Sequence, residues 1–232
     1  MARKLLWILL MIAAIIFSPG AILRWKIGQS VAAKMPELVG PARSYSAGVS
    51  GGLFQMLCGR IDSINIRGKG VKLASGVQLN RLDINLTGVR FKPDQTVTSI
   101  ESTVFSASVT QRDLNYFFAT SRPDMSNAKI SLDDGKLALS ASPRVMAVRT
   151  PVSLEGTLQI VKGTRLNLVL NKLRARGMRV PGFVRGRIMR GINPVLDTQQ
   201  MGIDAKLSSV KIDDGKLTAS GSADVSKALA KK

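Results

Sequence analysis

From about residue 60 onward the apolar residues of this chain recur at every second position, the period of a strand with one face on a core. Ile61-Asp62-Ser63-Ile64-Asn65-Ile66-Arg67-Gly68 places Ile64 and Ile66 on one side. Val71 and Leu73 follow, then Val77 and Leu79, and after a shift Leu82, Ile84 and Leu86. Ser99–Thr110 carries Thr103, Phe105, Ala107 and Val109 on one face. Gly68, Gly70, Gly76 and Gly88 punctuate these runs as turns and bulges do.

The second half repeats the pattern. Lys129–Ser142 and Val210–Ser222 each read as a hairpin, and both turns carry Asp-Asp-Gly-Lys-Leu, eighty residues apart. Aspartate opens such a turn and glycine supplies the positive φ that a tight hairpin needs. Leu154, Leu158 and Ile160 face Leu166, Leu168 and Leu170 around Lys162-Gly163-Thr164. Between the halves, Gln111–Thr120 reads as a short helix capped by Thr110, with Asp113 in its first turn and Leu114, Phe117 and Phe118 on its apolar face. The expected architecture is α+β: a long curved, mostly antiparallel β-sheet wrapped on one or two helices. Apolar residues make up 45% of the chain and aromatics only 5%, so its core is aliphatic.

Ahead of this domain, Leu5–Leu23 runs for nineteen residues without a charge, behind Arg3-Lys4 and ahead of Arg24-Trp25-Lys26. At about 1.5 Å per helical residue the run reaches ~28 Å, close to the ~30 Å hydrocarbon core of a bilayer. Thirteen apolar residues followed by Ser18-Pro19-Gly20-Ala21 also fit a cleaved signal peptide. Ile22, Leu23 and the interfacial Trp25 favour a retained anchor. Either reading places the domain outside the cytoplasm, on the extracytoplasmic side of the membrane. The expected division is a signal anchor or transmembrane helix over 1–26, an amphipathic connecting helix over 27–44, the main domain over 45–226 and a basic tail over 227–232. In the connecting segment Ile27, Val31, Met35 and Leu38 make an apolar stripe.

The formal net charge is +19, of which Arg3 and Lys4 supply only two, so the domain itself calls for a polyanionic partner. Nucleic acid is not expected, because aromatic stacking platforms are missing and both tryptophans, Trp7 and Trp25, belong to the leader. For an exported domain the polyanion within reach is anionic phospholipid.

Catalytic chemistry is poorly supplied. The chain has no histidine, which removes Ser-His and Cys-His pairs and the usual zinc constellations. Cys58 is alone, which rules out an internal disulfide, and is expected to be a small buried hydrophobe. Asp133-Asp134 and Asp213-Asp214 serve turns. No enzyme activity, cofactor or metal is expected. The positive signal is basic: Gly156–Leu196 holds no acid and nine bases, Lys162, Arg165, Lys172, Arg174, Arg176, Arg179, Arg185, Arg187 and Arg190. Arginine grips phosphate with a planar fork where lysine offers a point charge. Pro181 would open a helix over Phe183–Ile192 with Arg187 and Arg190 on its outer face, a basic helix with a greasy side suited to a membrane interface.

A series of short motifs in fixed order resembles the LmeA-type phospholipid-binding proteins, a bacterial family of exported or membrane-associated proteins. The motifs are Leu57–Ile64, Gly70–Val77, Ala107–Asn115, Ile192-Asn193-Pro194 with Asp197, and Asp213–Leu217, within residues 45–222. The resemblance implies lipid binding without catalysis, on a fold similar to tubular lipid-binding domains with an apolar trough. On that expectation Ile64, Ile66, Leu73, Leu79, Ile84, Leu86, Leu168 and Leu170 face acyl chains or support the trough. Arg174, Arg176, Arg179, Arg185, Arg187 and Arg190 hold head-group phosphate or dock on the bilayer. The alternative is an envelope scaffold whose basic face binds an acidic protein or polymer, or an accessory factor that presents lipid to a membrane enzyme.

Overall fold

The structure, a computed structural model, describes residues 2–74, 76–92, 96–121, 125–145, 148–149, 151–175, 178–180, 182, 186, 189, 193–198 and 204–224. In chain order its elements are α1 (Ala2–Leu38), β1 (Ser44–Ser50), α2 (Leu53–Leu57), β2 (Arg60–Lys72), β3 (Gln78–Phe91), β4 (Val97–Ser99), β5 (Ser102–Thr110) and α3 (Gln111–Ser121). Then follow β6 (Met125–Asp133), β7 (Lys136–Val145), β8 (Val148–Arg149), β9 (Val152–Val161), β10 (Arg165–Ala175), β11 (Met178–Arg179), β12 (Leu196–Asp197), β13 (Asp204–Asp213) and β14 (Lys216–Asp224).

Among the described residues the strands form two antiparallel sheets. The first runs β1-β2-β3-β5-β14-β13, with β4 on β3, so the C-terminal hairpin completes a sheet begun by the N-terminal half. The second runs β11-β10-β9-β7-β6, with β8 on β7 and β12 on β10. The α+β class with a curled antiparallel sheet is the one the alternation calls for.

The two Asp-Asp-Gly-Lys-Leu hairpins meet tip to tip. In each, Asp and Gly at the centre both have positive φ (37° and 76° at Asp134-Gly135, 30° and 73° at Asp214-Gly215), the backbone of a type I′ turn. The Gly135 N–H donates to the Ile212 carbonyl at 3.1 Å, and the Gly215 N–H donates to the Leu132 carbonyl at 2.9 Å. Beneath this reciprocal pair Ile130, Leu132 and Ile212 are buried together, flanked by Leu114, Phe118, Leu158 and Leu217. The repeated pentapeptide is therefore the joint between the sheets.

α3 caps the outer edge of β6. Thr110 Oγ1 accepts from the Asp113 N–H at 3.2 Å and donates to the Asp113 carboxylate at 2.6 Å, so the expected cap is formed. Gln111 and Asn115 then stand four apart on one helix face. Gln111 Oε1 accepts from the Leu132 N–H at 2.8 Å. Asn115 accepts from the Ile130 N–H at 2.6 Å and donates to the Ile130 carbonyl at 3.0 Å. Four helical residues rise about 6 Å and two strand residues about 6.6 Å, so the helix matches the repeat of the strand edge.

α1 lies on the first sheet and runs antiparallel to β1. Leu23, Ile27, Val31 and the buried Met35 pack onto Ile61, Ile64, Ile66 and Val89, while Leu38, the last residue of the stripe, is exposed. Gly28 permits the approach, because a β-carbon there would collide with the Ala47 carbonyl oxygen. The helix exits through Tyr45, whose hydroxyl donates to the Gly40 carbonyl at 2.8 Å and whose burial raises the phenol's pKa. Of the leader, the side chains of Leu5–Pro19 lie outside the described residues. Among the described residues no helix is long and apolar enough to cross a membrane.

Cys58 departs from expectation: it is exposed. It ends α2, whose buried residue is Met56, and a position two further on lies about 200° round the helix, away from the core.

Two substitutions test this packing. Gly28→Ala raises intrinsic helix propensity yet should lower stability by about 2 kcal/mol through overpacking against β1. Asn115→Ala leaves the Ile130 backbone without its partners and should also cost about 2 kcal/mol. In a chain of this size each should lower the melting temperature by roughly 4–8 °C, measured by thermal unfolding of the full chain in detergent. A stabilised Gly28→Ala chain would contradict the close approach of α1 to β1.

Candidate anion-binding face

The second sheet turns its aliphatic side inward, where Leu154, Leu168, Leu170 and Leu173 are buried with Val180 and Met189 against them. Its outer side is built by register. The β9–β10 pairing shifts between Leu170 and Lys172, and this bulge returns Leu173 to the inner face opposite Leu154. Lys172 then stands opposite Glu155, and Arg174 opposite Ser153, both on the outer face.

Cross-strand pairs extend these positions into two rows. One row reads Lys129, Ser140, Ser153, Arg174 across β6, β7, β9 and β10. The other reads Ser131, Ala138, Glu155, Lys172. Small side chains thus occupy the middle of the first row, with Lys129 at one end and Arg174 at the other, while the second row sets Glu155 beside Lys172. The result is a depression of about 290 Å³ lined by these eight residues, with Leu139 and Leu154 also at its wall. Three cations surround it against one carboxylate, Glu155, which Lys172 holds at 3.2 Å in an exposed ion pair. Such a surface suits an anion: the Ser140 hydroxyl donates to the Lys129 carbonyl at a long 3.5 Å and, with Ser153, could turn to an anion's oxygens.

Of the six arginines expected to meet head groups, Arg174 lies on this face and is exposed. Arg179 is paired with Arg174 in the β10–β11 register, and its side chain lies outside the described residues. Arg176, Arg185, Arg187 and Arg190 lie outside the described residues, as does most of the helix expected over Phe183–Ile192. Gly182, just ahead of that segment, and Gly186 and Met189 within it are helical. It is followed by a clamp: the Asn193 side chain accepts from the Leu168 N–H at 2.8 Å and donates to the Leu168 carbonyl at 3.0 Å. Arg165 is committed elsewhere, paired at 3.0 Å with the buried Asp197 that holds β12 on β10.

The eight aliphatic residues expected along one trough fall into separate clusters. Ile64 and Ile66 are buried under α1 with Ile84 and Leu86 against them. Leu73 packs beside the buried Leu79 around Val71, Leu82 and Val109. Leu168 and Leu170 belong to the other sheet, on the face opposite Arg174. Leu79, Ile64, Ile66, Leu168 and Leu170 are each at most 9% exposed and touch protein. Lys129, Ser140 and Ser153 were not singled out by sequence, since their alignment depends on register between three hairpin strands. Among the described residues no group of three or more His, Cys, Asp or Glu is placed to hold a metal ion.

A family model of LmeA-like phospholipid-binding proteins matches residues 20–222, from the packed half of α1 to the end of the first sheet. Comparison with curated proteins and with solved structures returns no match.

The exposed Lys172–Glu155 pair contributes about 0.5 kcal/mol to stability. Glu155→Gln should therefore leave the melting temperature within about 2 °C. Removing the one carboxylate should tighten binding of a soluble short-chain anionic phospholipid by roughly fivefold, about 1 kcal/mol for one charge. Titration calorimetry on the full chain in detergent measures it, and an unchanged affinity would place the anion elsewhere.

Proposed function

Because the chain belongs to the LmeA-like phospholipid-binding family, we propose that it binds anionic phospholipid without catalysis at an extracytoplasmic membrane surface. The observation that carries this reading is the row Lys129-Ser140-Ser153-Arg174, cations at both ends and hydroxyls between. A phosphodiester above Ser140 and Ser153 would lie between the ammonium of Lys129 and the guanidinium of Arg174. Arg176, Arg179, Arg185, Arg187 and Arg190 follow in the same acid-free segment and add to its attraction for an anionic surface. The leader Leu5–Leu23 tethers the domain to the bilayer in this reading.

The head group and the aliphatic clusters have different tasks here. Leu168 and Leu170 sit on the opposite face of the sheet from Arg174, so one lipid does not reach both without passing round the sheet edge. Ile64, Ile66, Ile84 and Leu86 are occupied by α1 and one another. These residues support the sheet, and the lipid is held by its head group while its tails stay in the membrane.

Three cations opposed by Glu155 supply about 2 kcal/mol toward an anionic head group, roughly thirtyfold over a zwitterionic one. Soluble short-chain phosphatidylglycerol should accordingly bind the detergent-solubilised chain far better than the matching phosphatidylcholine, and the preference should fade as salt rises. Lys129→Glu with Arg174→Glu should abolish the preference, and Arg187→Glu with Arg190→Glu should weaken it. Preference that survives both charge reversals refutes the assignment. Lipid mass spectrometry of the purified chain separates this reading from the scaffold: near-stoichiometric phospholipid supports it, and a tight acidic protein partner without lipid opposes it.

A further inference from the structure

We propose that α2, together with the outward side of α1 beside it, forms a docking collar that inserts into the bilayer interface. The two elements meet where Gly20 of α1 faces Leu53, the first residue of α2, whose side chain lies 3.9 Å from the site of a β-carbon on Gly20. From there α1 buries Gly20, Gly28 and Met35 against the domain and turns Ile22 and Trp25 outward, 55% and 61% exposed. α2 buries Met56 and turns out Phe54 and Leu57, 83% and 70% exposed. Each pair is three apart, so each shares one helix face.

Of the exposed apolar residues elsewhere, Tyr116 and Val169 stand on other elements and Leu38 on the far end of α1, eighteen residues from Gly20, and isolated ones need no explanation. Here four of them, two aromatic, stand on two elements that meet where Gly20 faces Leu53. α2 is five residues long and is started by Gln55, whose Oε1 accepts from the Gly52 N–H at 3.1 Å; it anchors on the core through Met56 alone and leaves Phe54 and Leu57 exposed.

Lipid is the occupant the surroundings favour. The collar adjoins the uncharged run Leu5–Leu23, whose last residues include the exposed Ile22. Lys26 follows Trp25 and Arg60 follows α2, both exposed, which gives the aromatic and basic fringe of an interfacial segment. The family match covers residues 20–222, so the collar lies within the part of the chain that matches a phospholipid-binding family. The collar would fix the orientation of the domain against the membrane, which a single tether through α1 does not do. It needs no anionic head group and so stands apart from the face on the second sheet.

Cys58, the single cysteine of the chain, is exposed and directly follows Leu57. A nitrobenzoxadiazole label on it in the full chain, reconstituted in neutral phosphatidylcholine vesicles, reports the surroundings of α2. The expected result is blue-shifted emission, shielding from aqueous iodide, and quenching by lipids carrying a nitroxide near the head group. Phe54→Glu with Leu57→Glu should bring a several-fold loss of shielding and of lipid quenching, with circular dichroism unchanged. Phe54→Glu alone should give an intermediate loss. A label freely reached by iodide in wild-type vesicles overturns the proposal without reference to any variant. Shielding without lipid quenching, growing with the protein-to-lipid ratio, would assign the collar to a second copy of the chain and overturn it equally. Because the vesicles are neutral, neither outcome depends on the anionic preference proposed above.

Discussion

The meeting of two hairpin tips sets the arrangement of everything else. Gly135 and Gly215 each donate an N–H to the strand that precedes the other's turn, and this exchange fixes the β6–β7 and β13–β14 hairpins in register with each other. The hydrogen bonds contribute only about 1 kcal/mol apiece. The burial of Ile130, Leu132 and Ile212 between them is larger, roughly 1.5–3 kcal/mol for each side chain. Apolar burial thus holds the joint, and the backbone bonds decide its alignment. With that joint in place, the C-terminal hairpin can complete the first sheet beside β5 while β6 begins the second.

The same joint separates two kinds of surface. The first sheet spends its inner face on α1, with Gly28 against β1 and Met35 in the core. The second keeps its leucines inward and, through the bulge after Leu170, presents Lys172 and Arg174 outward beside Ser153. In the proposed reading, attraction for lipid comes from this outward face and not from an emptied core. A family defined by phospholipid binding is compatible with such a division, because a head group can be held while the acyl chains remain in the bilayer.

Local features were legible in the sequence. Alternation located β2, β3 and the β9–β10 hairpin; Thr110 and Asp113 marked the start of α3; the two Asp-Asp-Gly turns were recognisable from turn chemistry alone. Association between distant segments was not. Nothing in the spacing of Ile64 and Leu168 tells that they belong to different sheets, since both are apolar residues on alternating strands. The row from Lys129 to Arg174 spans forty-five positions of chain, and a one-residue slip in any pairing would dissolve it. The exposure of Cys58 was hidden for a related reason: its side depends on which residue of a five-residue helix faces the core. The motifs that carried the family resemblance prove to be largely architectural, with Asn115, Asn193 and Asp197 each fastening a strand.

The amide clamps of α3 carry a further implication for how such a molecule survives at high concentration. A bare strand margin invites another chain to add itself by backbone pairing, the route to fibrils and entangled oligomers. Gln111 and Asn115 imitate a neighbouring strand, offering donor and acceptor where one would, and so close the β6 margin within the protomer. In the proposed reading the domain is held at a bilayer, where diffusion is confined to two dimensions, and crowding there makes that closure more valuable than it would be in dilute solution. Amide hydrolysis matters here too: conversion of Asn115 to aspartate would replace the amide donor with a second acceptor facing the Ile130 carbonyl. Slow deamidation at this one position would unfasten the margin and act as an ageing lesion of the fold.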